Sequence, residues 1–338
     1  MTERGLMKAW QVTRLGEPRD ALEQVEVAVP APSAQQVRVR VRAAPANFPD
    51  VLMCRGEYQI KPELPFTPGV ELCGEVLEAG ADAVGPGGRP VAVGDRVLGT
   101  PSLPHGGFAE QAIMDAGDAF AAPESLDDAA ASALCIGYQT AWFALHRRTR
   151  IAEDDVLLVH AAAGGVGSAA VQLGKAAGAT VIGVVGGPRK AEYCRNLGAD
   201  VVVDRHREDF VAVVKEHTGG RGADIVFDPV GGDAYAGSTK CIAFEGRIVV
   251  IGFAGGTIPQ PALNHALIKN YSIVGLHWGL YKNRNRGVIA ECHDALTRLV
   301  DAGAVAPLIS ERLGLADVAD GIGRLGEGST VGRLVFQP

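Results

Sequence analysis

The segment Val156-Leu157-Leu158-Val159-His160-Ala161-Ala162-Ala163-Gly164-Gly165-Val166-Gly167 joins a compact apolar run to a turn made of small residues. A stretch of helical length, from Ser168 to Ala177, follows it directly. A strand, a glycine-rich turn and a helix in this order direct backbone N–H groups and a helix N-terminus at an anion. Ala162 replaces the first glycine of the common dinucleotide fingerprint, whereas Gly164 and Gly167 keep the other two. The segment therefore predicts a dinucleotide site at Ala162, Gly164, Gly165, Val166 and Gly167.

Further apolar runs follow this segment, and stretches of helical length separate most of them. The runs are Val181 to Val185, Val201 to Val203, Ile225 to Phe227, Ile248 to Ile251 and Ser272 to Val274. Fully apolar strands that alternate with helices are typical of a parallel sheet covered on both faces. This half of the chain therefore predicts an α/β fold of the Rossmann type, with a doubly wound parallel sheet.

The N-terminal stretch, up to about Leu126, has the pattern of a small β-barrel. Val37, Val39 and Val41 alternate with arginines, which is the period of a half-buried strand. Many turns rich in glycine and proline separate the other short strands. The last strand, Arg333 to Phe336, is too short to form a domain alone and is expected to return to this barrel.

The periodicity changes near Asp128 and again after Trp278. We therefore predict a barrel-type domain made of residues 1–128 and 280–338. Residues 129–279 are predicted to form the nucleotide-binding domain.

The composition indicates an ordinary globular protein that is long enough for two domains. The chain has 338 residues, of which 47% are hydrophobic and 21% charged. Its net charge of −7 argues against nucleic acid as the main partner, because such binders need a basic face. No apolar run is long enough for a bilayer, and the first ten residues lack the apolar core of a signal peptide. The six scattered cysteines predict buried thiols in a reducing cytoplasm, because none has the spacing of a zinc knuckle or redox motif.

The residues after the second strand of the nucleotide-binding domain bear on the choice of cofactor. An NAD enzyme places Asp or Glu at this tip, about 20 residues after the turn, to hold the ribose hydroxyls. This chain has Gly186-Gly187-Pro188-Arg189-Lys190 there, and Arg205 follows the third strand. The glycines leave room, and the cations attract a 2′-phosphate. Gly187, Lys190 and Arg205 therefore predict NADPH as the cofactor, although solvated cations at a helix start are the alternative.

Other segments of the chain match the landmarks of a known family in the expected order. They are Asn47 to Asp50, Tyr58, Pro68 to Glu71, Val93 to Val97, Gly106 to Glu110, Gly137 to Ala141, Ala162 to Gly167, Asp228 to Gly232, Gly246 to Ala254 and Gly332 to Val335. Through them the chain resembles the zinc-independent quinone oxidoreductases of the medium-chain dehydrogenase/reductase superfamily, close to the zeta-crystallin type. The resemblance covers nearly the whole chain and implies that the barrel is a GroES-like domain.

The departures from the zinc enzymes of that superfamily concern metal ligands. Zinc alcohol dehydrogenases have Cys where this chain has Asn47, and His where it has Val70. An amide and an isopropyl group cannot complete a Cys/His zinc site. The segment from Leu98 to Gly106 also lacks the four cysteines of the structural zinc lobe. We therefore expect no bound metal. The family's usual Tyr after the third strand is Arg205 in this chain.

The resemblance implies hydride transfer from NADPH to quinones or related conjugated carbonyl compounds, because no zinc polarises an alcohol. Asn47 resembles the residue beside the nicotinamide, where its amide orients the ring or donates to a substrate oxygen. The alternative for Asn47 is a turn-capping role. Tyr58 is a candidate proton donor, and the alternative is an aromatic lining of an apolar cleft.

Four further contacts with the cofactor are implied by the resemblance. They are Thr140, the loop Gly252-Phe253-Ala254, Trp278 and Arg333. The alternatives are an ordinary helix hydroxyl for Thr140, a core position for Phe253, a subunit contact for Trp278 and an exposed cation for Arg333. His105, His160 and His277 are not assigned to catalysis, and His160 is expected to be a packed residue at a strand end.

Two other functions remain open at the level of sequence. One is an enoyl-thioester or 2-alkenal reductase of the same fold, and the other is a nucleotide-binding structural or regulatory protein without turnover. The last strand of the parallel sheet, Ser272 to Val274, would be an unprotected edge in a monomer. Members of the family commonly pair two such edges, so a homodimer through the Rossmann edge strands is expected.

Overall fold

The computed structural model describes residues 5–338, and these fold into two units. The first unit contains the chain up to Ile136 together with Ala306–Pro338, and the second contains Gly137–Val305. Both boundaries therefore differ from those expected at 128 and 279. Residues up to Ile136 stay with the first unit, where the Ile136 backbone N–H donates to Glu71 Oε2 at 2.8 Å. Residues 280–305 stay with the second unit, where the Tyr281 ring packs on Phe143 at 4.4 Å between centroids.

The described residues form strands and helices in the following positions. The strands are β1 Leu6–Val12, β2 Leu22–Ala28, β3 Gln36–Pro45, β4 Leu72–Ala79, β5 Arg96–Gly99, β6 Gln111–Asp115, β7 Phe120–Ala121, β8 Val156–Val159, β9 Thr180–Val185, β10 Val201–Asp204, β11 Ala223–Asp228, β12 Ile242–Val250, β13 Ser272–Gly275, β14 Ile309–Gly314 and β15 Arg333–Gln337. The α-helices are α1 Pro18–Ala21, α2 Phe48–Arg55, α3 Asp128–Ser132, α4 Ile136–Trp142, α5 Gly165–Ala176, α6 Pro188–Asn196, α7 Phe210–His217, α8 Gly232–Cys241, α9 Leu263–Lys269, α10 Gly279–Arg284, α11 Arg286–Asp301 and α12 Val318–Gly326. A π-helical segment, Phe143–Arg148, continues α4.

The first unit is organised around β3. Its larger sheet has the order β14-β15-β3-β4-β5-β7, with β6 also paired to β3, while β1 and β2 form a separate pair. Val37, Val39 and Val41 are buried as the alternation predicts, and they pack in one core with Phe336 of β15. The predicted return of the final strand is therefore confirmed, because β15 pairs antiparallel with β3.

The second unit contains the predicted parallel sheet, in the order β10-β9-β8-β11-β12-β13. This is the order of a doubly wound Rossmann sheet, with its switch point between β8 and β11. Ligands bind outside the carboxyl ends of the strands at such a point. The glycine-rich turn after β8 and the loop after β11 both lie there.

Two further observations on the described residues concern the cysteine side chains and the helices. All six cysteine side chains are buried. Within residues 5–338, no helix is both long and apolar enough to cross a lipid bilayer.

Candidate active site

The glycine-rich turn connects β8 to α5 as the sequence predicts. Gly164 precedes the helix, and no side chain caps the first N–H groups of α5. A Cβ atom on Gly167 would lie 2.2 Å from the carbonyl oxygen of Ala161, so only glycine lets the helix pack this closely on the turn. Ala162 is buried, and its N–H donates to Val184 O on the neighbouring strand at 3.1 Å. The turn therefore presents the amino end of a twelve-residue helix to an anion.

The tip of β9 is ordered by a carboxylate from the end of β10. Gly187 has a φ of 89°, a conformation that favours glycine, and its N–H donates to Asp204 Oδ1 at 2.9 Å. The N–H of His206 donates to the same oxygen at 3.1 Å. These backbone hydrogen bonds lower the pKa of Asp204. The Asp204 carboxylate thus serves the local backbone at this tip.

The side chains of Arg205 and His206 lie beside Gly186. A Cβ atom on Gly186 would lie 2.9 Å from His206 Nε2 and 3.2 Å from Arg205 Nε. Burial, followed by the charge of Arg205, lowers the pKa of Lys190, which lies on α6 directly after this tip. We name Lys190, Arg205 and His206 the Gly186 cluster. Arg189 of the same segment is exposed.

The sequence patterns predict no role for His206. Its only signal is the position directly after Arg205, at the carboxyl end of the third strand of the parallel sheet.

The loop after β12 is held against the loop after β11. The N–H of Ala254 donates to Pro229 O at 3.0 Å. Asp228 Oδ1 accepts from Val230 N and Gly231 N, both at 2.9 Å. Phe253 is 39% exposed, so the core position considered for it is wrong. Gly252, Phe253 and Ala254 thus form a surface loop at the carboxyl end of the sheet.

Helix α4 lies beside the glycine-rich turn in the second unit. A Cβ atom on Gly137 would be 3.3 Å from the carbonyl oxygen of Gly165. The same helix carries the buried Thr140 and Gln139. The indole N–H of Trp278 donates to Gln139 Oε1 at 3.0 Å. The structure therefore brings Thr140 and Trp278 to the side of the second unit that carries the turn.

The first unit contains a buried polar cluster formed by Asn47, Glu71 and Arg333, which we name the Asn47 cluster. Asn47 Nδ2 donates to Glu71 Oε1 at 2.9 Å and to Pro45 O at 3.2 Å. Arg333 donates from Nη1 to Asn47 Oδ1 at 3.1 Å and forms an ion pair with Glu71 through Nη2. Arg333 is buried, so the exposed position considered for it is wrong.

Glu71 ends the landmark Pro68 to Glu71, and the sequence predicts no role for it in the site. The position within Pro68 to Glu71 was its only signal.

Asp50 lies directly beside the Asn47 cluster. It is completely buried and accepts from Asn47 N at 3.0 Å and Gly69 N at 2.9 Å. Burial raises the pKa of Asp50 to about 7 against the effect of these hydrogen bonds. Burial and, after it, the charge of Asp50 raise the pKa of Tyr58. Tyr58 packs against the core of the first unit.

The described residues offer no group of three or more His, Cys, Asp or Glu side chains that could hold a metal ion. His160 is buried at the end of β8, and its Nε2 lies 2.8 Å from Ser238 Oγ. Burial lowers the pKa of His160 to about 4. This is the packed residue at a strand end that the sequence predicts.

Comparisons with known proteins identify the family to which the chain belongs. The profile described as alcohol dehydrogenase GroES-like domain matches residues 33–124, and that described as zinc-binding dehydrogenase matches residues 165–294. A quinone oxidoreductase-like protein 2 homolog from Nematostella vectensis is 38% identical over 306 residues, which cover 89% of this chain and 81% of that protein. The chain belongs to the quinone oxidoreductase family.

Solved structures agree with this family. A probable oxidoreductase from Mycobacterium abscessus has a TM-score of 0.88 and 35% identity, covering 99% of both chains. The Escherichia coli quinone oxidoreductase complexed with NADPH has a TM-score of 0.89 and 28% identity, covering 98% of this chain and 100% of that one. The resemblance drawn from the sequence and the predicted GroES-like and Rossmann folds are thereby confirmed. As a member of this quinone oxidoreductase family, the chain is a medium-chain reductase.

Proposed function

We propose that this family member transfers hydride from NADPH to quinones or related conjugated carbonyl compounds, and that it does so without zinc. The observation that carries the proposal is the Gly186 cluster, in which Arg205 and His206 lie beside a glycine at the tip of β9 and Lys190 follows on α6. A 2′-phosphate is the one group that distinguishes NADPH from NADH, and it needs cations at this tip. The E. coli relative complexed with NADPH supports the same cofactor.

The second unit has the donors that such a cofactor requires. The backbone of Ala162, Gly164, Gly165, Val166 and Gly167 and the amino end of α5 would bind the pyrophosphate. Gly187, Lys190, Arg205 and His206 would bind the adenosine 2′-phosphate. The bound cofactor would supply the hydride. Thr140, the loop Gly252-Phe253-Ala254 and Trp278 would bound the nicotinamide half. Asn47, Tyr58 and Arg333 are the proposed site residues of the first unit.

The absence of zinc chemistry is proposed from the donor set. The amide of Asn47 and the isopropyl group of Val70 stand where zinc enzymes have ligands, and neither completes a tetrahedral Cys/His site. Quinones and enones accept hydride readily because the negative charge that results is delocalised, so positioning and hydrogen bonds suffice. Elemental analysis of protein freed of loosely bound metal tests this point, and stoichiometric zinc would contradict it.

A panel of acceptors tests the reaction. The purified chain is mixed with NADPH and, separately, a small quinone, an enone, an enoyl thioester and a simple aldehyde, and cofactor oxidation is followed by absorbance. We expect turnover with the quinone or the enone and none with the aldehyde. NADPH binding without turnover on any acceptor would instead favour the non-catalytic nucleotide-binding role.

One surface favours an enoyl thioester of coenzyme A as a second candidate substrate. The Arg147 guanidinium of the π-helical segment lies 5.8 Å from the centroid of the Tyr281 ring of α10. This contact connects the two segments. Arg148 and Arg284 are exposed on these two segments, and Arg286 is exposed at the first residue of α11. Such a surface suits the phosphates of coenzyme A. A preference for an enoyl-coenzyme A over the same enoyl group on pantetheine would identify this function.

We also propose a homodimer through the edge of the parallel sheet. β13 ends the sheet order, and its outer side has no strand partner among the described residues. The preceding helix α9 leaves Leu263, Leu267 and Ile268 exposed. An unpaired edge beside exposed apolar side chains is typical of a surface that another chain covers.

A further inference from the structure

His206 places an imidazole at the tip of β9. It follows the end of β10 by two positions, and β10 pairs in parallel with β9 so that Asp204 lies beside Val185. A Cβ atom on Gly186 would lie 2.9 Å from His206 Nε2, so the ring lies directly against this glycine. The tip of the second strand is where a Rossmann domain contacts the 2′ position of the adenosine ribose. The imidazole is therefore in place to meet a group at that position.

A carboxylate holds the backbone at His206 and leaves its ring available. Asp204 Oδ1 accepts from His206 N at 3.1 Å and from Gly187 N at 2.9 Å, so one oxygen connects the two loops. Within residues 5–338, the exposed His206 ring forms no hydrogen bond with another residue. Both ring nitrogens can therefore serve a ligand.

The two protonation states of histidine differ in what they offer a phosphate. The neutral ring has one donor and one acceptor nitrogen, whereas the imidazolium has two donors and a positive charge. A phosphate monoester offers three acceptor oxygens and about two negative charges at neutral pH. Only the imidazolium matches the phosphate in both hydrogen bonds and charge. Histidine ordinarily changes between these forms between about pH 5 and 8.

Two carboxylates next to His206 in the chain attract a positive charge on its ring. Backbone hydrogen bonds from Gly187 and His206 and, after them, the charge of His206 lower the pKa of Asp204. Glu208 Oε2 accepts from Asp204 N at 3.2 Å, which brings a second negative charge to this segment. Opposite charges at this distance favour the charged form of both partners.

Cations accompany the carboxylates in these segments. Arg205 lies beside Gly186, and Arg207 is exposed on the same loop. Helix α6, which packs on β10, has Arg189 and Lys190 in its first turn. A phosphate at this tip adds negative charge beside the imidazole, which favours the imidazolium. Binding of the phosphate and protonation of His206 therefore favour each other.

We propose that His206 determines part of the cofactor specificity by binding the 2′-phosphate as an imidazolium, so that the preference for NADPH over NADH falls as pH rises. This inference rests on the proposed function, in which the Gly186 cluster binds the 2′-phosphate. Arg205 keeps its charge across this range and supports a preference that does not depend on pH. His206 adds a second part, which is present while the imidazole holds its proton and is lost as the proton leaves.

The first test uses the wild-type protein and two nucleotides that carry no nicotinamide. 2′,5′-ADP has the 2′-phosphate and 5′-AMP lacks it, so the ratio of their dissociation constants isolates this group. Calorimetry measures the ratio at about pH 6.5 and about pH 8.5, a range above the second ionisation of the phosphate near pH 6. We expect the preference for 2′,5′-ADP to fall by about three- to tenfold, because a charged hydrogen bond is replaced by a neutral one. An unchanged preference would overturn this inference alone, whereas no preference at either pH would also contradict the proposed function.

The second test assigns the pH dependence to His206. In His206→Gln a donor remains without a titrating charge, so the preference is expected to be low at both pH values. In His206→Lys the positive charge persists across the range, and the preference is expected to persist with it. His217→Gln is the matched control, since His217 is exposed on α7 and its Nδ1 lies 2.9 Å from Val213 O of the same helix. The control is expected to keep the pH dependence, and a dependence that His206→Gln also keeps would refute the role of His206.

Proton uptake provides a readout that a merely structural role of His206 would not change. Calorimetric titrations in two buffers with different heats of ionisation give the number of protons taken up when the nucleotide binds. At about pH 7.5 we expect the wild-type protein to take up more protons with 2′,5′-ADP than with 5′-AMP. His206→Gln is expected to remove this difference. Equal uptake by the wild-type protein and His206→Gln would contradict the coupling between protonation and phosphate binding.

Discussion

Cofactor selectivity offers a direct test of the Gly186 cluster. Arg205→Ala and Lys190→Ala each remove one cation from the tip of β9. A hydrogen bond between a charged donor and a phosphate contributes about 1.5–3 kcal/mol, which corresponds to about a ten- to hundredfold change in affinity. We therefore expect each substitution to raise the Michaelis constant for NADPH by about that factor. The constant for NADH is expected to change little, because NADH has no 2′-phosphate.

The structure also predicts how the two substitutions combine. Burial and the charge of Arg205 lower the pKa of Lys190, so each cation opposes the other when no phosphate is bound. Removing Arg205 relieves this repulsion and lets Lys190 hold its proton more firmly. Each single loss is partly offset by the repulsion that it relieves, so the double variant is expected to lose more than the product of the two single effects.

Steady-state kinetics with one acceptor and both cofactors measures these effects. Arg207→Ala is the matched control, because the Arg207 side chain is 77% exposed and its Nε lies 3.9 Å from Asp204 Oδ2. It removes the same charge from the same loop. If Arg207→Ala raised the Michaelis constant for NADPH as much as Arg205→Ala, the loss would reflect the net charge of the loop and not a specific contact of Arg205. If the wild-type protein used NADH as efficiently as NADPH, the Gly186 cluster would not be a phosphate site.

Three further predictions follow from single positions. Gly167→Ala is expected to lower the free energy of unfolding by about 1–3 kcal/mol and to weaken NADPH binding, because its Cβ would lie 2.2 Å from Ala161 O. Gly287→Ala is the control, because a Cβ there would lie in open space. Denaturant titration measures the stability of the two variants. Burial raises the pKa of Asp50 from 3.8 to about 7, so the folded protein retains a proton that the unfolded chain loses. Stability should then fall as pH rises across this window, by up to about 1.4 kcal/mol per pH unit, and a flat profile in wild-type protein would contradict the shift. Leu267→Glu on α9 is expected to convert the dimer into monomers in light scattering, and a monomeric wild-type protein would contradict the proposed interface.

The sequence determined those features of this protein that depend on local chemistry. The alternation of Val37, Val39 and Val41 predicts a strand with one buried face, because successive side chains of a strand point to opposite sides. The glycine-rich turn predicts a strand followed by a helix, because only small residues fit where the helix packs on the turn. Lys190 after β9 and Arg205 after β10 predict a phosphate site, because the carboxyl ends of paired parallel strands lie at the same edge of the sheet.

Only the tertiary structure decided which distant residues meet and what each can still do. Asn47 contacts Glu71, which is 24 positions away along the chain, and Arg333, which is 286 positions away. No periodic pattern in the sequence carries information over such separations. Whether Asn47 donates or accepts depends on these two neighbours, because an isolated amide can do both. The unit boundaries were also outside the reach of local patterns, since α10 and α11 have the same helical period in either unit. They belong to the second unit because Tyr281 packs on Phe143, a contact between residues far apart in the chain.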